Sequence, residues 1–286
     1  MKYIKYFFQF IFLSILFCLF KLLGFKLSSF IGGKIFEIIG PLFRSKSLIH
    51  SNIKKAIPEI SSDDLRKITK QMWNNYGRVF AEYMFIKSFR TGKLDSQIEI
   101  SGKEILEEVK KKNKPVIFIS GHFANFELMA LYLEKAGINL SAIYRPLNNF
   151  FLNKIMERIR KKYICKIQIK KGIGGLKKLI KFQKKNYSTA LMIDQRVTEG
   201  IKSNFFNKEA LTTTIPAQLV KKFDMAIIPI YIQRIDGNKF NIKINKPLKF
   251  LKDASIKNIT DELNLVLEKM IILNPEQWIW SHNRWK

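Results

Sequence analysis

The chain is short of acid. Its 286 residues carry 23 Asp and Glu against 51 Lys and Arg, so fewer than half of the cations can find an intramolecular counter-charge, and the formal net charge is +28. Such an excess points to a polyanionic partner: nucleic acid, acidic lipid headgroups or an acidic carrier protein. Only ten of the basic residues are arginine, and a composition rich in Lys, Ile, Asn and Phe also accompanies AT-rich coding, which asks for no partner. Cysteine is scarce too. Cys18 and Cys165 make neither a CxxC nor a disulfide framework, which fits a reducing compartment. Three scattered histidines and two scattered cysteines offer no metal-ligand spacing, so no metal is expected. No RRM-type signature of interleaved aromatic and basic residues is present, which leaves a nucleic-acid-binding reading without a motif. Disorder is excluded for most of the chain, because 47% hydrophobic residues can bury a real core.

The longest apolar run is at the N-terminus. Tyr6 to Phe20 reads YFFQFIFLSILFCLF, without a charge, and Lys21 and Lys26 follow. A spanning helix needs roughly 20 apolar residues, and lysines at its ends can snorkel. No small-x-small cleavage site follows the run, so a retained anchor is expected rather than a cleaved signal peptide. Leu27 to Phe43 is apolar and glycine-containing, and could lie along a membrane surface. The expected organisation is an anchor and interfacial segment over 1–45 and one catalytic domain over 46–286. More basic residues follow the run than precede it, so the positive-inside tendency favours a cytoplasmic body.

Beyond the anchor, strand and helix patterns alternate. A hydroxyl cap with acids in the first turn, Ser61-Ser62-Asp63-Asp64, opens a helix. PVIFIS at 115–120 and TALMI at 189–193 read as buried strands, with helices near 125–135, 148–163 and 174–185. Asp236-Gly237-Asn238 joins two strand-like runs as a hairpin. The expected fold class is α/β: a mixed sheet flanked by helices, with an N-terminal membrane helix.

The chemistry-bearing pair follows the strand at 115–120. In an open α/β sheet, ligands bind at the carboxyl ends of strands, and Gly121-His122 sits at such an end. Glu127 lies five residues on. Within one helix the two would point well apart, at roughly 500° of rotation, so they meet only if His122 lies in the loop and Glu127 in the helix that follows. A carboxylate on one imidazole nitrogen fixes the tautomer, and the other nitrogen can then take a proton from a hydroxyl. On its own the spacing is common, and a structural histidine at a strand end accounts for it equally well.

The segment Gly121 to Glu127, GHFANFE, resembles the GHFGNWE signature of the late acyltransferases of lipid A biosynthesis, the lauroyl and myristoyl transferases of the lysophospholipid acyltransferase superfamily. Further segments resemble that family in the same order. They are Asn75 to Arg78 with Glu82, Tyr144-Arg145-Pro146, Asp194-Gln195-Arg196, Phe205-Phe206 through Ala217, and Pro275 to Lys286 (PEQWIWSHNRWK). Ala124 stands where the family has Gly, Phe126 where it has Trp, and Asn207 where it has Gly.

The resemblance implies an acyl thioester donor on acyl carrier protein or coenzyme A, a hydroxyl of a Kdo-bearing lipid A precursor as acceptor, and no cofactor. His122 would be the general base and Glu127 its orienting partner. It places Arg145 at the site, on acceptor or developing oxyanion, with Asn125, Asp194, Gln195 and Arg196 toward substrate and Arg78, Glu82 and Tyr144 in support. Local readings stand beside these: Asn125 as a helix cap, Arg78 and Glu82 as an i,i+4 ion pair, and Asp194 paired with Arg145 or Arg196. Cys165 reads as structural, and His282 among Trp278, Trp280 and Trp285 as part of an aromatic cluster. The partners implied are acyl carrier protein, the lipid A precursor and anionic membrane lipids. Two alternatives remain open: a superfamily acyltransferase acting on another glycolipid or phospholipid, and a non-enzymatic basic protein that binds membrane or nucleic acid.

Overall fold

The run of apolar residues at the N-terminus forms α1 (Lys2–Leu23), which turns at Gly24 into α2 (Phe25–Ile39). Gly24 makes that turn with φ of +77°, a left-handed conformation that glycine adopts without steric cost. The coordinates are those of a computed structural model and describe residues 2–286. After α3 (Lys46–Ala56), the acid-rich cap starts α4 (Ser62–Glu82) as the sequence predicts, with the Ser61 hydroxyl accepting from the Asp64 N–H at 3.0 Å. α4 stops at Glu82. The chain then passes through a tight turn (Tyr83–Phe85) into the short α5 (Ile86–Arg90).

The rest is the sheet and its covering helices. In chain order these are β1 (Ile98–Ser101), α6 (Lys103–Lys112), β2 (Ile117–Ser120), α7 (Glu127–Lys135), β3 (Leu140–Tyr144) and α8 (Phe150–Ile159). A wider helical turn (Arg160–Ile164) leads on to β4 (Ile167–Lys170), α9 (Ile173–Gln183), β5 (Ser188–Met192), β6 (Ile201–Phe205) and β7 (Lys208–Thr212). Last come α10 (Ile215–Phe223), β8 (Ile227–Asp236), β9 (Lys239–Ile244) and α11 (Ile256–Leu273). Seven strands form one sheet in the order β1-β9-β8-β2-β5-β3-β4, parallel except for the β8–β9 hairpin. The expected mixed α/β class is therefore the observed one.

Two elements had no strand signal. β4 is short and polar on alternate positions, and β6–β7 is a separate hairpin outside the main sheet, turning at Phe206-Asn207 with φ of +52° and +56°. Its Ser203 and Asn204 bond the Asp261 carboxylate on α11, so tertiary contact rather than local propensity holds it.

The sheet carries a core on each face. β2 is buried at every position, with Ile117 and Ile119 in one core and Phe118 in the other, the period-2 alternation of a central strand. The glycine-containing stretch read as interfacial packs against α4 instead: Ser28, Ser29, Gly32 and Gly33 of α2 are buried. A Cβ on Gly77 would lie 1.9 Å from the Gly32 carbonyl oxygen, so the two helices cross at backbone contact. Only the outer side of α2, with Leu27, Phe30 and Ile38, stays exposed.

Candidate active site

Parallel pairing of β2 with β5 sets the geometry of the site. Ser120 stands beside Met192 in the register, so the residues two steps beyond each strand, His122 and Asp194, emerge side by side at the carboxyl edge of the sheet. His122 Nδ1 lies 2.8 Å from Asp194 Oδ1, and the His122 backbone N–H donates to Asp194 Oδ2 at 2.8 Å. Trp278 Nε1–H donates to the same Oδ2 at 2.8 Å. Asp194 is fully buried, and a carboxylate without water is tolerated here because three donors converge on it. Burial alone would raise its pKa, but His122 and these hydrogen bonds outweigh it and hold the carboxyl near about 2.

The ionised Asp194 fixes His122 with the proton on Nδ1, which leaves the Nε2 lone pair free. Among the described residues no protein group bonds Nε2, and the His122 side chain is 21% exposed to the cavity it lines. Burial would depress the imidazole pKa. The Asp194 charge and hydrogen bond, with a smaller contribution from Glu127, reverse that and raise it.

Glu127 makes no hydrogen bond to His122. It opens α7, and its carboxylate is held by Arg160, at 3.0 Å from Nε and 2.5 Å from a terminal nitrogen. Arg160 sits in the widened turn after α8, where the helix departs from regular geometry, and its guanidinium lies over the Tyr144 ring. Arg160 belongs to the basic run Arg158 to Lys162, and it turns inward to neutralise the acid of the motif. Nothing local marks Arg160 out in the sequence.

The remaining site residues divide into a hidden scaffold and a cavity lining. Asn125 is 1% exposed and caps no helix; its Nδ2 donates to Glu82 Oε2 at 3.0 Å. Glu82 also accepts from Ser29 at 2.7 Å and from Arg234 at 2.6 and 3.1 Å. The expected Arg78–Glu82 pair is absent, because Arg78 is turned to Asn74 at 2.7 Å and to Ser29. This network lies beneath the catalytic loop and is linked to it by the Ala124 N–H, which donates to the Gln277 carbonyl at 3.0 Å, while the Gln277 side chain bonds the Arg234 backbone. Asn125 is therefore turned into this network and away from the cavity that His122 lines. Asp194, equally hidden, pairs with neither Arg145 nor Arg196.

Tyr144, Arg145 and Gln195 line a cavity of about 580 Å³ together with His122, Glu127, Met129, Ile143 and Leu191. The Tyr144 hydroxyl donates to Glu157 at 2.7 Å. A second cavity of about 820 Å³ shares Arg44, Arg145, Lys171 and His282 with the first and adds Arg196 and Lys286. Among the described residues none of Arg44, Arg145, Lys171 or Arg196 has a carboxylate partner, and the Arg196 Nε is buried without an acceptor. His282 Nε2 accepts from the Arg196 N–H at 2.9 Å, and burial pushes its pKa down to about 4, so this imidazole is neutral and its lone pair is occupied. Cys165 is buried, with its thiol pushed up to about 12, which removes it as a nucleophile. Trp278 and Trp280 are buried core residues. No cluster of His, Cys, Asp and Glu able to hold a metal occurs among the described residues.

The arrangement is an imidazole with an unbonded Nε2 at a cavity that joins apolar walls to unpaired cations. The sequence profile of the family described as bacterial lipid A biosynthesis acyltransferase matches residues 1–286. The chain belongs to this family. The lipid A biosynthesis myristoyltransferase of Escherichia coli K12 is 22% identical over 254 residues, covering 87% of this chain and 76% of the relative. The lauroyltransferase of the same organism is 24% identical over 251 residues, covering 85% and 79%. Its palmitoleoyltransferase is 22% identical over 274 residues, covering 90% and 84%. Among solved structures, the 1-acyl-sn-glycerophosphate (LPA) acyltransferase of Thermotoga maritima aligns at a TM-score of 0.43 and 12% identity, covering 90% of this chain and 100% of that one. As a member of the lipid A acyltransferase family, this chain is a transferase of acyl groups in lipid A biosynthesis.

Proposed function

We propose that the enzyme moves a fatty acyl chain from an acyl carrier protein thioester to a hydroxyl of a Kdo-bearing lipid A precursor, at the cytoplasmic face of the bacterial inner membrane, to which the N-terminal helix holds it. The observation that carries this reading is the His122–Asp194 pair at the sheet edge, with a free Nε2 facing the cavity. His122 Nε2 takes the proton of the acceptor hydroxyl as its oxygen attacks the thioester carbonyl. The imidazolium formed is stabilised by Asp194, and it returns the proton to the departing thiolate as the carbon–sulfur bond breaks. Glu127 acts on His122 through its charge and through Arg160, as a positioning residue.

The lining supports the substrate classes. Apolar walls at Met129, Ile143 and Leu191 suit an acyl chain, and the unpaired guanidinium groups of the adjoining cavity suit the phosphates of the acceptor. An acidic carrier protein is drawn to a chain of charge +28.

The test is acyl transfer by the detergent-purified protein, followed by mass spectrometry, with acyl carrier protein and coenzyme A thioesters offered separately. His122→Ala should lower kcat by about 10²–10⁴-fold, the usual contribution of a general base. Undiminished turnover would dismiss His122 as the base. Transfer to another lipid but not to the lipid A precursor would dismiss the acceptor.

A further inference from the structure

We propose that α1 lies in the plane of the membrane surface, on the same side as the catalytic cavity, and that its outward stripe continues onto the exposed face of α8 as one surface seated on an anionic bilayer. The proposal rests on the membrane association put forward above and not on the acyl-transfer chemistry.

By length and composition α1 is able to cross a membrane: it has 22 residues and a mean hydropathy of 2.1 over its best window. Its docking argues otherwise. Near its start, the Asn149 side chain donates to the Tyr6 carbonyl at 3.0 Å, and Phe7 and Phe10 pack on Phe151 of α8. Near its end, Phe17 and Phe20 pack on Phe80 of α4, and Lys21 Nζ donates to the Met84 carbonyl at 3.3 Å. Residues 6 and 21 are about 22 Å apart along a helix axis, so the catalytic domain holds α1 lengthwise at both ends.

Were α1 to run along the bilayer normal, one of these docking points would lie deep in hydrocarbon or beyond it. The irregular segment 145–149 and Lys154 and Arg158 of α8 would go there with Tyr6. Irregular backbone exposed to lipid is not tolerated within the bilayer core, and charges there are costly. Laid flat, both ends stay at the interface and nothing polar is submerged.

The two sides of α1 agree with this. Positions 6, 10, 13, 14, 16, 17 and 20 meet the protein, and the apolar remainder, with Ile4, Phe8, Ile11, Phe12, Ile15, Leu19 and Leu22, is exposed. On α8 the exposed Phe150 and Ile155 continue that stripe, flanked by Lys154, Arg158, Lys161 and Lys162. Apolar residues bordered by cations fit an anionic lipid surface, to which each basic residue is attracted. Leu147, between β3 and α8, is exposed and also lines the His122 cavity, so a lipid reaches the base along the surface.

The test uses the full chain with Cys18→Ser, which leaves only the buried Cys165. Single cysteines at Lys2→Cys, Lys26→Cys and, on the catalytic domain, Lys111→Cys are exposed to a membrane-impermeant maleimide in right-side-out and inverted vesicles. All three should label from the same face. Lys2→Cys labelling from the face opposite to Lys111→Cys would overturn the in-plane helix while leaving membrane association intact. Failure of the chain to sediment with membranes would sink the association itself. For α8, an environment-sensitive fluorophore on Phe150→Cys in phosphatidylglycerol vesicles should lose most of its emission when brominated acyl chains are introduced, and one on Lys111→Cys should not. Equal, weak quenching at both would remove α8 from the surface.

Discussion

At the scale of single residues the site turns on which carboxylate governs His122. Both acids raise its pKa against the depressing effect of burial, but Asp194 is hydrogen-bonded and contributes more than Glu127, which is shared with Arg160. The base must be neutral to accept a proton. A raised pKa therefore means that kcat/KM climbs with pH through an inflection above 6.5, the ordinary histidine value, and is lost as pH falls below it. Asp194→Asn removes the largest raising influence while burial persists, so the inflection should move down, and the plateau rate should fall by about 10²–10⁴-fold because the tautomer and the imidazolium lose their support. Glu127→Gln should move the inflection in the same direction by less. A pH–rate profile in which Glu127→Gln gives the larger displacement would return the orienting role to Glu127.

Two other residues show what was legible at this scale. Ala124 and Asn207, where the sequence resemblance expects glycine, both have left-handed backbone, at φ of +41° and +56°. Glycine adopts that conformation without steric cost, and Ala124 holds it at a cost in strain.

At the scale of elements, the buried strands and the helix caps were readable from local pattern. The hydrophobic run at 115–120 became the central strand, and His122 stands at its end as expected. The carboxylate that bonds its imidazole, Asp194, was not legible, because a partner on the next strand depends on register. Only the pairing of Ser120 with Met192 brings position 194 beside position 122. Arg160, Arg234 and Trp278 were missed as site residues for the same reason: each reaches its acid across the fold. The α2–α4 crossing was not legible either, since an apolar, glycine-containing segment suits a membrane surface and a close helix crossing equally. The crossing makes its own prediction. A methyl on Gly77 would collide with the Gly32 carbonyl, and backbone atoms cannot step aside as a flexible side chain can. Gly77→Ala should therefore destabilise the protein by about 1–3 kcal/mol, the usual penalty of overpacking, despite the better helix propensity of alanine. Thermal unfolding in detergent checks this; an unchanged midpoint would mean that the helices separate readily.

At the scale of the whole molecule, the charge excess gains a location. The sequence could not distinguish partner-binding lysines from compositional drift, because net charge carries no position. The fold gathers Arg44, Arg145, Lys171 and Arg196 around one cavity beside the His122 cavity; Glu199 lines it too, but among the described residues none of the four cations is in a salt bridge. A charge-assisted hydrogen bond contributes about 1.5–3 kcal/mol, and a group held without a partner is already arranged to receive an anion. Replacing both Arg145 and Arg196 by alanine should therefore raise KM for a phosphorylated lipid A precursor by roughly 10–100-fold, with a smaller change in kcat. The same double variant should handle an enzymatically dephosphorylated precursor within about three-fold of the native protein, since the interaction removed has no counterpart there. The comparison separates recognition from support. If both acceptors suffer equally, the two arginines hold the cavity open and the phosphate is bound elsewhere; if only the phosphorylated one does, this part of the +28 charge serves the acceptor.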